Sequence, residues 1–308
     1  MRFLYICHTV YHLMMTIARM NRVDRNSVCL VDTIADAEEF AKRLERTEYF
    51  EFIRVLRAAD FDIDGEYPED FKTKNSDFFK KFDKIGVYND DTYISHFLYQ
   101  QGLRYTLFED GYNYFQFPFD YLSHYNWWSR QRPNYKYSLV RGHSETCDRI
   151  EINSFDGVEK DDRYEKMVEV PQAEIFSRID NEKLNILSTV FPFDRVRIKN
   201  NSTLILTQPL FMDGIMKTEE EQKQYFYKLC KENSKFFKSV YFKPHPRDNI
   251  DYPHMKRVYL LPKNIPLEVM ALLNENFRFK KGITHSSTAM DFADFIDEKI
   301  ILEDLKNV

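Results

Sequence analysis

Short apolar runs alternate along this chain with longer stretches in which apolar positions recur at helical spacing. Phe3 to Cys7 and Ser27 to Val31 predict buried strands. Each is followed by a helical pattern, over roughly Val10 to Met20 and over the charged amphipathic stretch Ala35 to Leu44. Phe52 to Leu56, Lys84 to Tyr88 and Tyr105 to Phe108 read as further strands, with a helix near Thr92 to Gln101 between the last two. This strand–helix alternation predicts a parallel, doubly wound sheet. Phe61 to Phe82 mixes charged and aromatic residues and predicts a loop with a short helix.

A second unit of the same kind starts after the polar stretch Arg195 to Ser202. Thr203 to Thr207, Val240 to Lys243, Val258 to Leu261, Gly282 to Thr284 and Lys299 to Leu302 are its expected strands. Glu219 to Asn233 is an expected helix with Tyr225, Phe226 and Leu229 on one side. The expected fold is therefore α/β, with two Rossmann-like doubly wound domains, 1–195 and 202–308, facing a central cleft.

Composition narrows the function class. At 308 residues, 43% hydrophobic and 30% charged, the chain can bury two ordinary cores. A net charge of −5 argues against nucleic acid as a partner. Cys7, Cys29, Cys147 and Cys230 show neither a Cys-x-x-Cys pair nor zinc-like spacing. Buried free thiols are expected, which suits a reducing cytoplasm. The first apolar run ends at His8, too early for a secretion signal, and no stretch is long enough to span a bilayer. The expected location is the cytoplasm, including the inner face of the plasma membrane.

Three strand ends carry candidate chemistry. Lys243-Pro244-His245-Pro246 leaves the run Val240-Tyr241-Phe242. A histidine between two prolines has little backbone freedom, and ligands bind at the carboxyl ends of strands in α/β domains. Such an imidazole can donate to a phosphate oxygen or transfer a proton, although a proline-rich surface turn has the same composition. Gly282-Ile283-Thr284-His285-Ser286-Ser287-Thr288 predicts a strand followed by a helix through Met290 and Phe295, capped by Ser287 or Thr288. The free N–H groups of that junction could hold a phosphate, or the hydroxyls could simply cap the helix. Phe108-Glu109-Asp110-Gly111 puts adjacent carboxylates after a strand, either as a general base for a hydroxyl or as an acidic turn.

Together, and in this order, Glu109-Asp110-Gly111, His245-Pro246 and Ser286-Ser287-Thr288 resemble the motifs of the bacterial sialyltransferases of glycosyltransferase family 52 and of the related capsule polysialyltransferases. Ile265-Pro266-Leu267-Glu268 lies where that family places a ribose-binding glutamate. Cys7-His8-Thr9-Val10-Tyr11-His12 lies where relatives have a Thr-Pro or Ser-Pro turn, with Val10 here in place of the proline. The resemblance implies a GT-B fold and inverting transfer of sialic acid from CMP-sialic acid to a terminal sugar, galactose by expectation, of a capsule or lipooligosaccharide glycan. It implies no metal or cofactor.

The implied roles are specific. Ser286, Ser287 and Thr288 hold the CMP phosphate, His245 donates to it as CMP departs, and Lys243, Pro246 and Gly111 line the substrates. Glu268 binds the ribose and the backbone beside Pro266 faces cytosine. Asp110 or Glu109 takes the acceptor proton, with Asp213 in Leu210-Phe211-Met212-Asp213-Gly214 as the rival base, and Thr9 is a further substrate-binding candidate. The expected partners are a nucleotide-sugar donor and a glycan acceptor. A homodimer and peripheral association with the cytoplasmic membrane are compatible with the chain. Tyr114 to His143 follows the acidic motif and combines Trp127, Trp128, Arg130, Arg132, Lys136 and Arg141. It reads as a large packed loop, or as a surface for an acceptor glycan or lipid headgroup. Alternatives to sialyl transfer are another nucleotide-activated donor on the same frame, a UDP-sugar or CDP-glycerol type, and a non-catalytic glycan-binding role.

Overall fold

The computed structural model describes residues 1–63, 65–111, 113–131, 137–194, 196–235, 238–285, 290 and 293–302. The chain divides into two compact units, Met1–Val190 and Phe191–Val308.

In the first unit, β1 (Arg2–Cys7), β2 (Arg25–Val31), β3 (Phe52–Leu56), β4 (Lys84–Val87), β5 (Tyr105–Phe108), β6 (Cys147–Ile152) and β7 (Met167–Glu169) form one sheet. Its order is β3-β2-β1-β4-β5-β6-β7, with every neighbouring pair parallel. Parallel strands need crossovers, and these carry helices α1 (Val10–Arg19), α2 (Ala37–Glu45), α3 (Glu69–Phe79), α4 (Tyr93–Gln100) and α5 (Tyr121–Gln131). Helices α6 (Gln172–Ser177) and α7 (Asn181–Val190) close the unit. Layers of helix on both faces explain why β1 and β2 are continuous apolar runs, with Leu4, Ile6, Val28 and Leu30 fully buried.

Three features depart from the pattern of the sequence. Helix α3, of 11 residues, takes up half of the segment Phe61 to Phe82, expected to be a loop with a short helix. Helix α5 lies inside the stretch expected as a packed loop, started by Asp120, whose carboxylate accepts the Ser123 N–H at 2.9 Å. Strands β6 and β7 extend the sheet beyond the expected strands. Cys-Asp-Arg-Ile-Glu-Ile in β6 has exposed charges between buried Cys147 and Ile150, so it lacks the apolar run that marks β1 and β2.

In the second unit, β8 (Thr203–Leu206), β9 (Val240–Lys243), β10 (Val258–Leu260), β11 (Phe279–Thr284) and β12 (Ile296–Ile301) form a parallel sheet in the order β10-β9-β8-β11-β12. Helices α8 (Glu219–Asn233) and α9 (Leu267–Leu273) belong to its crossovers. Thr218 caps α8 by accepting the Glu221 N–H at 3.1 Å. Ile205, Phe226, Phe242 and Ile283 pack in its core. Gly282 sits against close neighbours: a Cβ there would lie 2.6 Å from Met290 Cε and 2.9 Å from Ile296 Cδ1.

The expected helix through Met290 and Phe295 needs correction at its end. The Phe295 carbonyl accepts the Phe279 N–H at 2.8 Å, so the chain is already laddered to β11 there, and β12 begins at Ile296 rather than Lys299. The proposed caps Ser287 and Thr288 lie outside the described residues. Among the described residues no helix is long and apolar enough to cross a membrane. All four cysteines are buried and free.

Strand order reverses between β1 and β4 in the first sheet and between β8 and β11 in the second. Ligands of open α/β sheets bind beyond the carboxyl ends of strands at such switch points.

Candidate active site

The switch point of the first unit gathers residues from three strand ends. Thr9 follows β1, is exposed, and caps α1 by accepting the His12 N–H at 3.1 Å. That cap fixes the helical turn carrying His12. The His8 N–H donates to His12 Nδ1 at 3.2 Å, so Nδ1 acts as acceptor and the ring proton lies on Nε2. Nε2 lies 2.7 Å from Asp110 Oδ1, just past β5. Asn89, just past β4, donates to Asp110 Oδ2 at 3.2 Å. The His12 ring stacks on Tyr88 with centroids 4.6 Å apart, and the Tyr88 hydroxyl pairs with Thr16 Oγ1 at 3.0 Å.

His12 is 1% exposed, whereas the Asp110 side chain keeps 28% exposure. Burial alone would raise the Asp110 carboxyl, but His12 with its hydrogen bond, the Asn89 amide and His8 outweigh it and hold it below the ordinary value. Burial, with His12 beside it, pushes His8 down to about 3. Asp110 is thus an ionised, oriented and still accessible carboxylate.

Its neighbour Glu109 is placed differently. Glu109 is buried, and its two oxygens accept the backbone N–H groups of Phe115 at 3.2 Å and Asn153 at 2.5 Å. Burial raises its carboxyl despite those bonds. Glu109 ties the loop beyond β5 to the end of β6. Gly111 turns the chain at φ +90°, and its carbonyl accepts Gln172 Nε2 at 3.1 Å.

The loop beyond Asp110 is braced by a buried hub. Asp90 accepts the N–H groups of Arg141 at 2.5 Å and Gly142 at 2.7 Å, and the Tyr105 hydroxyl at 3.1 Å. Burial raises the Asp90 carboxyl to about 6. Arg141 in turn donates to the carbonyls of Tyr114 at 2.7 Å and Phe117 at 3.1 Å, with its guanidinium 4.4 Å from the centroid of the Tyr114 ring.

In the second unit, β9 delivers Lys243 to Pro246. The His245 N–H donates to Thr207 Oγ1 at 2.8 Å, at the end of β8. His245 Nδ1 accepts the Arg247 N–H at 3.1 Å, so its neutral ring also carries the proton on Nε2. Burial, then Arg247 and Lys243, lower this imidazole to about 4. Arg247 pairs with exposed Asp213 through both guanidinium nitrogens, at 3.2 and 3.4 Å. Pro246 is exposed at the rim.

Beneath His245, Asp248 is 2% exposed. Its Oδ2 accepts from Thr207 Oγ1 at 3.3 Å, Gln222 Nε2 at 2.9 Å and the Tyr252 hydroxyl at 2.6 Å, and its Oδ1 from the Ile250 N–H at 3.0 Å. Thr207 links this network to the backbone of His245.

Lys243 is buried and donates to the carbonyls of Pro262 and Lys263, both at 3.1 Å. Burial lowers it to about 8 against the pull of Glu268. Lys243 therefore braces the segment that leads to Pro266, the residue before α9, and to half-buried Glu268 in the first turn. Burial raises Glu268 while Lys243 lowers it. Ser286, Ser287 and Thr288 lie outside the described residues. His285 just before them is buried, with Nε2 2.7 Å from the Tyr225 hydroxyl.

One group with metal-ligating atoms was found among the described residues: His143, Asp161 and Asp162, within 4.8 Å of one another. Arg163 Nε already lies 2.9 Å from both oxygens of Asp161, which disfavours a cation there. The sequence reading missed His12, Asn89, Asp248, Gln222 and Tyr252. His12, inside the segment Cys7 to His12, and Asp248, three residues after His245, sit close enough to a motif to have been flagged.

Comparison with known proteins supplies the class. The chain shares its fold with UDP-GlcNAc 2-epimerase of Methanocaldococcus jannaschii, solved with UDP-GlcNAc and UDP, at TM-score 0.52 and 10% identity over 100% of this chain and 90% of that one. The spinosyn forosaminyltransferase SpnP aligns at TM-score 0.47 and 10% identity, over 94% of this chain and 76% of its own. UGT89C1 of Arabidopsis thaliana complexed with UDP aligns at 0.45 and 12%, over 94% and 76%. No curated protein gives a significant match. The sequence model of glycosyltransferase family 52 matches residues 26–306. With two parallel Rossmann-like units and a match over nearly its whole length, the chain belongs to glycosyltransferase family 52 and is a nucleotide-sugar-dependent glycosyltransferase of GT-B fold.

Proposed function

We propose that the enzyme transfers sialic acid from CMP-sialic acid to a terminal sugar, galactose in this reading, of a capsule or lipooligosaccharide glycan, with inversion and without a metal ion. The observation that carries the proposal is Asp110, oriented by His12 in the first unit; in the second, a backbone N–H occupies His245 Nδ1 and leaves the ring proton on Nε2. Asp110 accepts the proton of the acceptor hydroxyl as that oxygen attacks the anomeric carbon. The bond from that carbon to the phosphate oxygen breaks, and CMP leaves with a second negative charge developing on its phosphate. His245 Nε2–H donates to that oxygen, and the growing charge favours passage of the proton.

Among the carboxylates, Asp110 suits the base role best. Both oxygens of Glu109 are taken by backbone N–H groups, and Asp213 is paired with Arg247. Ser286, Ser287 and Thr288 are assigned to the phosphate and Glu268 to the ribose. Lys243 is assigned to holding the loop that presents Glu268. In this reading the first unit serves the acceptor and the second the nucleotide.

The test is CMP release from CMP-sialic acid with lactose or N-acetyllactosamine as acceptor and EDTA present, with UDP-sugars and CDP-glycerol as parallel donors. Acceptor-dependent release that vanishes in His245→Ala supports the proposal. Turnover of another donor alone would overturn the donor assignment.

We also place the reaction in the cytoplasm at the inner face of the plasma membrane. The exposed apolar side chains Leu122 and Tyr125 of α5, with nearby Phe117, are the surface that would meet lipid. Failure to sediment with anionic vesicles would remove that placement.

A further inference from the structure

The donor-side histidine accounts for one imidazole at a strand end; a second, His12, sits at the switch point of the first unit with no role in the reaction as described. His12 cannot be the base itself. It is 1% exposed, its Nδ1 is occupied by the His8 N–H, and its Nε2 proton faces Asp110. Every contact of the ring fixes its position: the Thr9 cap sets its helical turn, Tyr88 stacks on its face, and Thr16 holds the Tyr88 hydroxyl. A rigid N–H aimed at one carboxylate oxygen, with Asn89 on the other, leaves the carboxylate a single orientation.

We propose that His12 is a positioning residue: its Nε2–H holds the Asp110 carboxylate in the orientation that receives the acceptor proton, without touching substrate. This rests on Asp110 being the base. The arrangement couples a buried imidazole to an accessible carboxylate, so the histidine acts through the aspartate and the aspartate acts on the hydroxyl. The titratable groups facing Asp110 are His12 and His8 from the β1 side and Tyr114 from the loop beyond β5. Of these, His12 alone makes a side-chain hydrogen bond to the carboxylate among the described residues.

Two measurements test this. Nitrogen-15 NMR of the imidazoles in the wild-type protein should show His12 as the Nε2-protonated tautomer. A Nδ1-protonated ring would overturn the proposal without any assay of activity. Kinetics then compares His12→Ala, His12→Gln and Asp110→Asn. His12→Ala is expected to lower kcat about tenfold or more with little change in acceptor KM, and to move the acid limb of the pH–kcat profile to higher pH. The amide of His12→Gln can still donate to Asp110 and should recover much of the rate, and it also serves if the alanine variant does not fold. A loss of thermal stability in His12→Ala with wild-type kcat and an unmoved acid limb would make His12 merely structural and overturn the proposal, while an inactive Asp110→Asn kept the base assignment. A fully active Asp110→Asn would overturn the base assignment and this inference with it.

Discussion

The two units each hold a histidine beyond a strand end in the same way, and the proposed reaction uses the two rings differently. His12 and His245 both accept a backbone N–H at Nδ1, at 3.2 and 3.1 Å, and both are left with a proton on Nε2. In the first unit that proton is spent on Asp110, and the imidazole is sealed from solvent. In the second, no hydrogen bond engages Nε2 among the described residues, and the ring stays half-buried beside Arg247 and above the Asp248 network. Burial acts on both sites, and the neighbours decide the outcome. His12, with Asn89, stabilises a negative charge on Asp110, while Arg247 and Lys243 add to burial and keep a positive charge off His245. In the proposed reaction one site accepts a proton and the other gives a hydrogen bond. Position along the fold does not make that distinction; the partner on the far nitrogen does.

The comparison breaks most sharply at Asp110. Asp110→Asn keeps the size and the His12 contact but removes the proton acceptor, and turnover should fall by about a hundredfold or more, read by CMP release. His245→Ala should cost about a hundredfold in kcat by removing one donor to the leaving oxygen, with donor binding weakened less than the chemical step. Equal losses in binding and turnover would assign His245 to ground-state binding instead.

The scaffold beneath His245 gives the next effect. Asp248→Ala leaves the donors of Thr207, Gln222, Tyr252 and Ile250 without their common acceptor, and should destabilise the fold by about 3 kcal/mol in urea unfolding. A variant as stable as wild type would show that water replaces the carboxylate readily.

A smaller effect follows from the His245 proton. The folded value of about 4 lies below the 6.5 of the free side chain, so between them the unfolded chain binds a proton that the folded chain refuses. This contribution lowers stability as pH falls from about 6.5 toward about 4. Asp90 works the other way: raised from 3.8 to about 6, it favours the fold at low pH and loses that contribution as pH rises through this window. The His245 share is therefore read as a difference, and the pH dependence of the urea midpoint over this window should flatten on the acid side in His245→Ala. An unchanged slope would mean that His245 titrates alike in both states.

The smallest effect is expected at Asp213. Its pair with Arg247 is exposed, and such pairs contribute about 1 kcal/mol or less. Asp213→Asn should keep turnover within about fivefold, since loss of that pair is the only change expected. A loss matching that of Asp110→Asn would move the base to the second unit.

Much of this was readable from the chain itself. Period and apolar runs marked the strands β1 to β5 and β8 to β11; central strands such as β1, β2, β8 and β9 are buried on both faces and so largely apolar, and the edge strands β3 and β10 keep short apolar runs. The motif residues Asp110 and His245 were placed correctly at strand ends for the same reason. Strands β6 and β7 were not legible because charged residues interrupt their apolar positions, and helix α5 because Tyr121 to Gln131 shows no helical apolar period. Nor was the partner of Asp110. His12 is 98 positions away and reads locally as one polar residue on a buried helix face. Local pattern determines which segments become strands and helices, through burial and backbone hydrogen bonding. Only the order in which the crossovers lay those strands side by side brought the ends of β1, β4 and β5 together, and so decided which histidine meets which carboxylate.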